Sequence, residues 1–123
     1  MNYSSIYSNF IAKCKLQDLS NQYSENHHII PVSQNGTDLP DNLIALTIRQ
    51  HIFAHKLLYK MKNAAQIYSV LAFYQDANPN RIAYRQKYKL ARWVRRAAVL
   101  VASREKCERN RLLVNLRNKT GYL

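Results

Sequence analysis

Four histidines, His27, His28, His51 and His55, are the only ones in the chain and cluster in its first half. His51 and His55 stand four residues apart. On a helix that spacing projects both imidazoles from one face, where they can bind a single metal ion. His27 and His28 lie on an apolar, β-branched stretch just before a turn, so a hairpin can carry that strand back across the helix. Three imidazoles then converge on one cation and leave coordination positions open for substrate and water. The fourth sits beside a ligand but points elsewhere. An unperturbed imidazole, with a pKa of about 6.5, suits a general base that takes a proton from water.

The elements that position these side chains can be read from local signals. Tyr3 to Leu16 carries Ile6, Tyr7, Phe10, Ile11 and Cys14 at three- and four-residue spacing, an amphipathic helix with Asn2 as N-cap. Residues 17–24 are polar and turn-like. The stretch from Glu25 to Ser33 is too short and too β-branched for a helix, and Pro31 restricts it to an edge or end strand. Asn35-Gly36 marks a turn, Thr37 to Pro40 prolongs the loop, and Asn42 to Leu46 reads as a short returning strand. Thr47 with Gln50 has the form of a capping box opening a helix to about Met61. A second helix is expected from Ala64 to Gln75, burying Ile67, Val70, Leu71 and Tyr74. A long third helix is expected from near Arg81 past Glu108. The fold class expected is α+β and predominantly helical, a small antiparallel hairpin plus helix flanked by an N-terminal helix and a basic C-terminal helical region.

Charge divides the chain in two. Over 123 residues, 19 Lys+Arg oppose 7 Asp+Glu, a net charge of +12. Residues 1–80 hold six basic and five acidic side chains, whereas residues 81–123 hold thirteen and two. The near-neutral part is suited to folding and chemistry, and the basic part to a phosphate backbone. Arg81, Arg85, Lys89, Arg92 and Arg96 recur at steps of four, four, three and four, one face of the third helix. Leu90, Trp93, Val94, Ala97, Leu100 and Val101 occupy another face suited to packing. Lys56 and Lys60, on the histidine helix, are further candidates for phosphate contact.

The length fits a single domain, 1–123, with a modest core. An apolar content of 47% argues against wholesale disorder despite the charge. Cys14 and Cys107 lie far apart and form no metal-ligand pair, so idle or buried thiols in a reducing compartment are expected. No apolar run approaches a membrane span, and the N-terminus has no charged start followed by an apolar stretch. The expectation is a cytoplasmic protein with a polyanionic partner and no membrane partner.

Each of these features has an ordinary structural reading. Histidines four apart on a helix are commonly structural, basic stripes are commonly solvated faces, Trp93 fits a core, and Asn42 fits a turn. The combined order and spacing distinguishes this chain. Glu25-x-His-His-Ile-Ile-Pro-Val-Ser-Gln-Asn-Gly, then Asp41-Asn42-Leu-Ile-Ala-Leu-Thr, then His51-x-x-x-His55, resembles the HNH endonuclease family. Tyr23, the run His51-Ile-Phe-Ala-His55 and Leu57-Leu58 are similar to the small phage-encoded members. The histidine and asparagine order also resembles the nuclease domains of DNase colicins. The resemblance covers about residues 23–62.

That resemblance implies a ββα-metal core over 23–62, followed by a basic helical DNA-contacting extension over 64–123. It implies that His27, His51 and His55 hold the metal, that His28 is the general base, and that Asn42 orders the loop and thereby orients the base. The reaction implied is hydrolysis or nicking of DNA, leaving 5′-phosphate and 3′-hydroxyl ends, in a phage or mobile-element setting within an infected or host bacterial cell. The larger homing-type relatives carry DNA-binding repeats after this motif. Residues 64–123 read instead as a basic helical region, so non-specific or weakly specific cutting is expected.

The cofactor expected is one divalent ion. Three neutral imidazoles favour Zn or Ni, while the oxygen of a scissile phosphate admits Mn or Mg. Both monomer and homodimer are compatible with the sequence. The alternative function is a non-catalytic, zinc-stabilised nucleic-acid-binding module. An immunity- or adaptor-type interaction protein comes third, because it makes the histidine arrangement a coincidence.

Overall fold

A computed structural model of the chain describes residues 1–63, 65–88, 99 and 102–112. Helix α1 spans Tyr3–Cys14, strand β1 Glu25–His28, strand β2 Leu43–Leu46, helix α2 Ile48–Lys60, helix α3 Gln66–Gln75 and helix α4 Pro79–Tyr88. Two 3₁₀ turns, Val32–Gln34 and Pro40–Asn42, lie between the strands. The fold is therefore mostly helical with one small antiparallel sheet, the α+β class expected. Residues 102–112 are also helical, while residues 89–98, 100 and 101 of the expected third helix lie outside the described residues.

Local chemistry sets the element ends. The Asn2 side chain accepts from the Ser5 amide at 3.1 Å and caps α1. At α2 both halves of the capping box form: the Gln50 amide donates to Thr47 Oγ1 at 3.2 Å, and the Thr47 amide to Gln50 Oε1 at 3.0 Å. The Gln50 amide group also exchanges two 2.8 Å hydrogen bonds with Gln17, tying the segment after α1 to the start of α2.

The first strand is shorter than the expected stretch to Ser33. Pairing ends at His28 opposite Leu43, and beyond Pro31, which has no amide hydrogen to give a ladder, the chain turns into the 3₁₀ segment. Asn35 takes a left-handed conformation with φ of 66°, a conformation Asn tolerates. Gly36 is required by proximity: a Cβ there would fall 1.7 Å from the Ile30 carbonyl oxygen. Gly36→Ala is therefore expected to destabilise the protein by ~1–3 kcal/mol, because the turn must open to admit the methyl. Urea unfolding of the variant against wild type measures it.

The sheet and α1 enclose a core with α2. Tyr7, Ile11 and Cys14 from α1 meet Ile44 and Leu46 from β2 and Ala54, Leu57 and Leu58 from α2. On another side of α2, Ile48 and Ile52 pack with Phe73 of α3, against which Tyr84 of α4 rests. Helix α2 is thus held from two directions, so its histidine face has a defined position relative to β1. Cys14 is buried and Cys107 exposed, and both are free thiols.

Candidate metal centre

Strand β1 alternates. Its register puts His27 opposite Ile44, inward against α2, and leaves Asn26 exposed. His27 is 1% exposed. His51 and His55 rise from consecutive turns of α2, and the three ring centroids lie 4.8–5.1 Å apart. One nitrogen from each ring can be chosen so that all three fall within 4.8 Å of one another.

The far side of each ring is held by a different residue. His27 Nε2 is 2.8 Å from the Tyr7 hydroxyl, which itself donates to the Ile29 carbonyl at 2.7 Å. His51 Nδ1 lies 3.0 Å from Glu25 Oε1. His55 Nδ1 is hydrogen-bonded to Gln66 Oε1. A carboxylate and an amide oxygen only accept, so both Nδ1 atoms carry the proton and both Nε2 atoms carry a lone pair. Those two Nε2 atoms face each other at 3.1 Å. Beside them, the buried Nδ1 of His27 has no partner among the described residues.

Three inward lone pairs with no proton between them form a donor set for a cation. Nitrogens about 2.0–2.1 Å from a tetrahedral zinc ion stand roughly 3.3 Å apart, close to the spacing of His51 and His55. Electrostatics keep the donors neutral. Burial pushes His27 down to about 3, with further depression from the neighbouring His55, His51 and His28 rings. Burial also lowers His55 to about 4 against the opposing hydrogen bond to Gln66, and lowers His51 against the pull of Glu25. Unprotonated imidazole is the form that binds metal.

Glu25 is held by more than His51. The Arg81 guanidinium donates to both its oxygens, at 2.8 and 3.0 Å, and to Asp76 at 2.6 Å. The Tyr23 hydroxyl donates to Glu25 at 2.7 Å. Burial works against the charged carboxylate, yet the bonds from Arg81, Tyr23 and His51 outweigh it and hold Glu25 at about 2. Arg81 also lies 4.1 Å over the Phe73 ring, whose edge meets His51 at 4.9 Å between centroids.

Comparison with known proteins agrees with this constellation. A family model described as HNH endonuclease matches residues 12–47. Over that segment the chain is similar to the HNH endonuclease family. It is 45% identical over 80 residues, 60% of this chain, to probable mobile endonuclease D of Enterobacteria phage T4, and covers 31% of that protein. It is 36% identical over 78 residues, 63% of this chain, to probable mobile endonuclease E of the same phage, and covers 54% of it. An uncharacterised 38.5 kDa protein in psbA intron 1 of Chlamydomonas moewusii is 36% identical over 74 residues, 60% of this chain, which covers 21% of it. The chain thus spans between about a third and a half of the two phage relatives. No solved structure matches it.

The HNH match includes His27, His28 and Asn42 but ends before His51 and His55, which the packing of α2 brings to His27. His28 does not join the cluster. Its Nε2 is 2.7 Å from Asp38 Oδ1, and its ring lines a cleft of about 370 Å³ shared with Asn26, Ser33, His51 and His55. Asn42 is buried in a cage of backbone bonds. Its Oδ1 accepts from the Ile30 amide at 2.8 Å, and its Nδ2 donates to the Ile30 and Thr37 carbonyls at 3.0 and 2.8 Å. It thereby ties both ends of the loop that carries Asp38.

Among the basic residues, Arg81 and Arg85 depart from the expected phosphate-facing stripe. Arg81 is spent on Glu25 and Asp76, and Arg85 donates to the Phe73 and Asp76 carbonyls, each at 2.8 Å. The charge on a helix face finds carboxylates and carbonyls of α3 and β1 before it finds solvent. Lys89, Arg92 and Arg96 lie outside the described residues. Lys60 is exposed, and Lys56 lines a separate groove with Arg49, Phe53, Tyr74, Tyr84 and Tyr88.

Sequence reasoning did not single out Tyr7, Gln66 or Asp38, and left Glu25 without a partner. Glu25 had a signal, since it shares the strand face of His27 two residues on. Tyr7 and Gln66 read as helix-face residues like any other.

Proposed function

We propose that this chain is a metal-dependent endonuclease that hydrolyses phosphodiester bonds of DNA. The observation that carries the reading is the inward set of three lone pairs on His27, His51 and His55, with a fourth histidine facing the adjoining cleft. The relatives named as mobile endonucleases support the same reaction class. A divalent ion bound there supplies positive charge that polarises the scissile phosphate and stabilises the leaving oxygen.

The chain's own residues do the rest. Asp38 accepts from His28 Nε2–H, which leaves Nδ1 with the lone pair. His28 Nδ1 takes the proton of an attacking water, the water oxygen bonds to phosphorus, and the bond to the 3′ oxygen breaks. The products are a 5′-phosphate and, once the leaving oxygen is protonated, a 3′-hydroxyl. Asn42 acts at a distance from the reaction, holding the loop that presents Asp38 to His28. Three imidazoles and an open side suit Zn or Ni when free and Mn or Mg when a phosphate oxygen completes the shell.

The test is supercoiled plasmid with Mg, Mn, Ni or Zn and an EDTA control, with bound metal measured in parallel. Nicked or linear product that EDTA abolishes is the expected result. A protein that binds both metal and DNA yet cuts with no metal overturns catalysis in favour of a zinc-stabilised binding module.

DNA affinity is assigned to the basic third of the chain. With Arg81 and Arg85 engaged internally, the phosphate contacts fall to Lys89, Arg92 and Arg96, aided by Lys56 and Lys60. Each neutralised phosphate adds about −0.9 to the slope of log affinity against log salt. Replacing Lys89, Arg92 and Arg96 together by Ala is expected to flatten that slope by about 2.7 if all three are engaged. Fluorescence anisotropy over a salt series measures it, and an unchanged slope removes this set from the binding surface.

A further inference from the structure

We propose that Tyr7 and Gln66 are positioning residues of the metal centre, each fixing which nitrogen of its histidine carries the proton. His27 is thereby held as an Nδ1 donor and His55 as an Nε2 donor. The inference rests on the reading of the three histidines as a metal site. Both residues lie outside the segment matched to the family, residues 12–47.

The available protons fix the arrangement. A tyrosine hydroxyl has one hydrogen to donate, whereas a backbone carbonyl only accepts. The Tyr7 hydroxyl lies 2.7 Å from the Ile29 carbonyl, so its hydrogen is committed there. Its remaining contact, 2.8 Å to His27 Nε2, must then be accepted from an N–H. Neutral imidazole carries one ring proton, so His27 Nδ1 is left with the lone pair, and that buried atom has no other partner among the described residues. Gln66 reaches the same result by a shorter route. It is 4% exposed, and its amide oxygen faces His55 Nδ1. An oxygen that only accepts requires Nδ1–H, which frees Nε2.

Without these partners each neutral imidazole divides between two tautomers, and one of the two turns an N–H toward the cation. Residues that orient metal-binding histidines in this way typically change affinity by about 10–100-fold when removed. A residue that only fills space alters stability and leaves the tautomers and the conservative replacement indifferent.

The experiment uses the full chain. Long-range ¹H–¹⁵N spectra of the metal-free protein report each histidine's tautomer, and Co(II) titration reports affinity together with the visible d–d spectrum of the bound ion. In wild type we expect His27 protonated at Nε2 and His55 at Nδ1. Tyr7→Phe should lose the fixed His27 tautomer, and Gln66→Leu that of His55, each weakening Co(II) by about 10–100-fold. Gln66→Glu keeps an acceptor at the same place and should restore binding. Wild-type tautomers opposite to those stated overturn the inference. So does Co(II) affinity within about twofold of wild type in folded Tyr7→Phe and Gln66→Leu. Should Tyr7→Phe fail to fold, the Gln66 pair decides for its own histidine. If wild type binds no Co(II), the metal reading fails, while the metal-free tautomers still test the proton assignment separately.

Discussion

His28→Ala is expected to retain divalent metal and DNA binding and to lose about 10²–10⁴-fold in single-turnover cleavage, the usual contribution of a positioned proton acceptor. The separation follows from strand geometry. His27 and His28 are neighbours on β1, but one faces the buried cluster and the other the cleft, where it is hydrogen-bonded to Asp38. Removing the second imidazole leaves all three inward lone pairs in place. His51→Ala makes the contrast, because it should lose metal and cleavage together. Quenched-flow cleavage of a labelled duplex at saturating protein, with bound metal measured on the same samples, distinguishes the two. A His28→Ala protein that no longer binds metal would make this histidine a ligand. Wild-type rates in that variant would remove it from the reaction.

The largest stability effect is expected at Glu25. Its carboxylate joins Arg81 of α4, His51 of α2 and Tyr23 through bonds of 2.7–3.0 Å. Glu25→Ala strips the buried partner from a guanidinium and a histidine N–H at once. Truncating one side of a buried ion pair costs ~3–5 kcal/mol, a large share of the ~5–15 kcal/mol that holds a small domain folded. Arg81 keeps Asp76, which places the expected loss toward the lower end of that range. Denaturant unfolding checks it, and a loss below about 1 kcal/mol, the level of an exposed pair, would contradict it.

The same groups set the acid response of the metal-free protein. Glu25 titrates at about 2 in the fold, below the ordinary carboxylate value, so its contribution is present above about 4.5 and is lost as pH falls toward 2. His27 and His55, held near 3 and 4, stay neutral in the fold, whereas the unfolded chain protonates them below about 6.5. Stability should therefore begin to fall below pH 6.5 and fall further below 4.5. Unfolding midpoints across this range measure the profile. Glu25→Gln should reduce the second part and leave the first.

What was legible in the chain is what acts over a few residues. The four-residue interval of His51 and His55 projects both from one helix face whatever packs around them. Asn2, Thr47 and Gln50 cap helices through bonds three residues long, and Asn35 takes the left-handed conformation that Asn tolerates. Strand alternation separates His27 from His28, and their order with Asn42 and the helical pair carried the family resemblance. The proton arrangement of the centre depends on contacts of another range. Tyr7 stands 20 residues before His27, Gln66 eleven after His55, and Arg81 56 after Glu25. No interval along the chain encodes those meetings, because they exist only once α1, α3 and α4 have packed around α2. The basic stripe illustrates the physical reason. A guanidinium on a helix face carries the same charge and spacing whether a phosphate or a buried carboxylate awaits it. For Arg81 the tertiary fold supplied Glu25, turning an expected DNA contact into a clamp on the residue that holds His51.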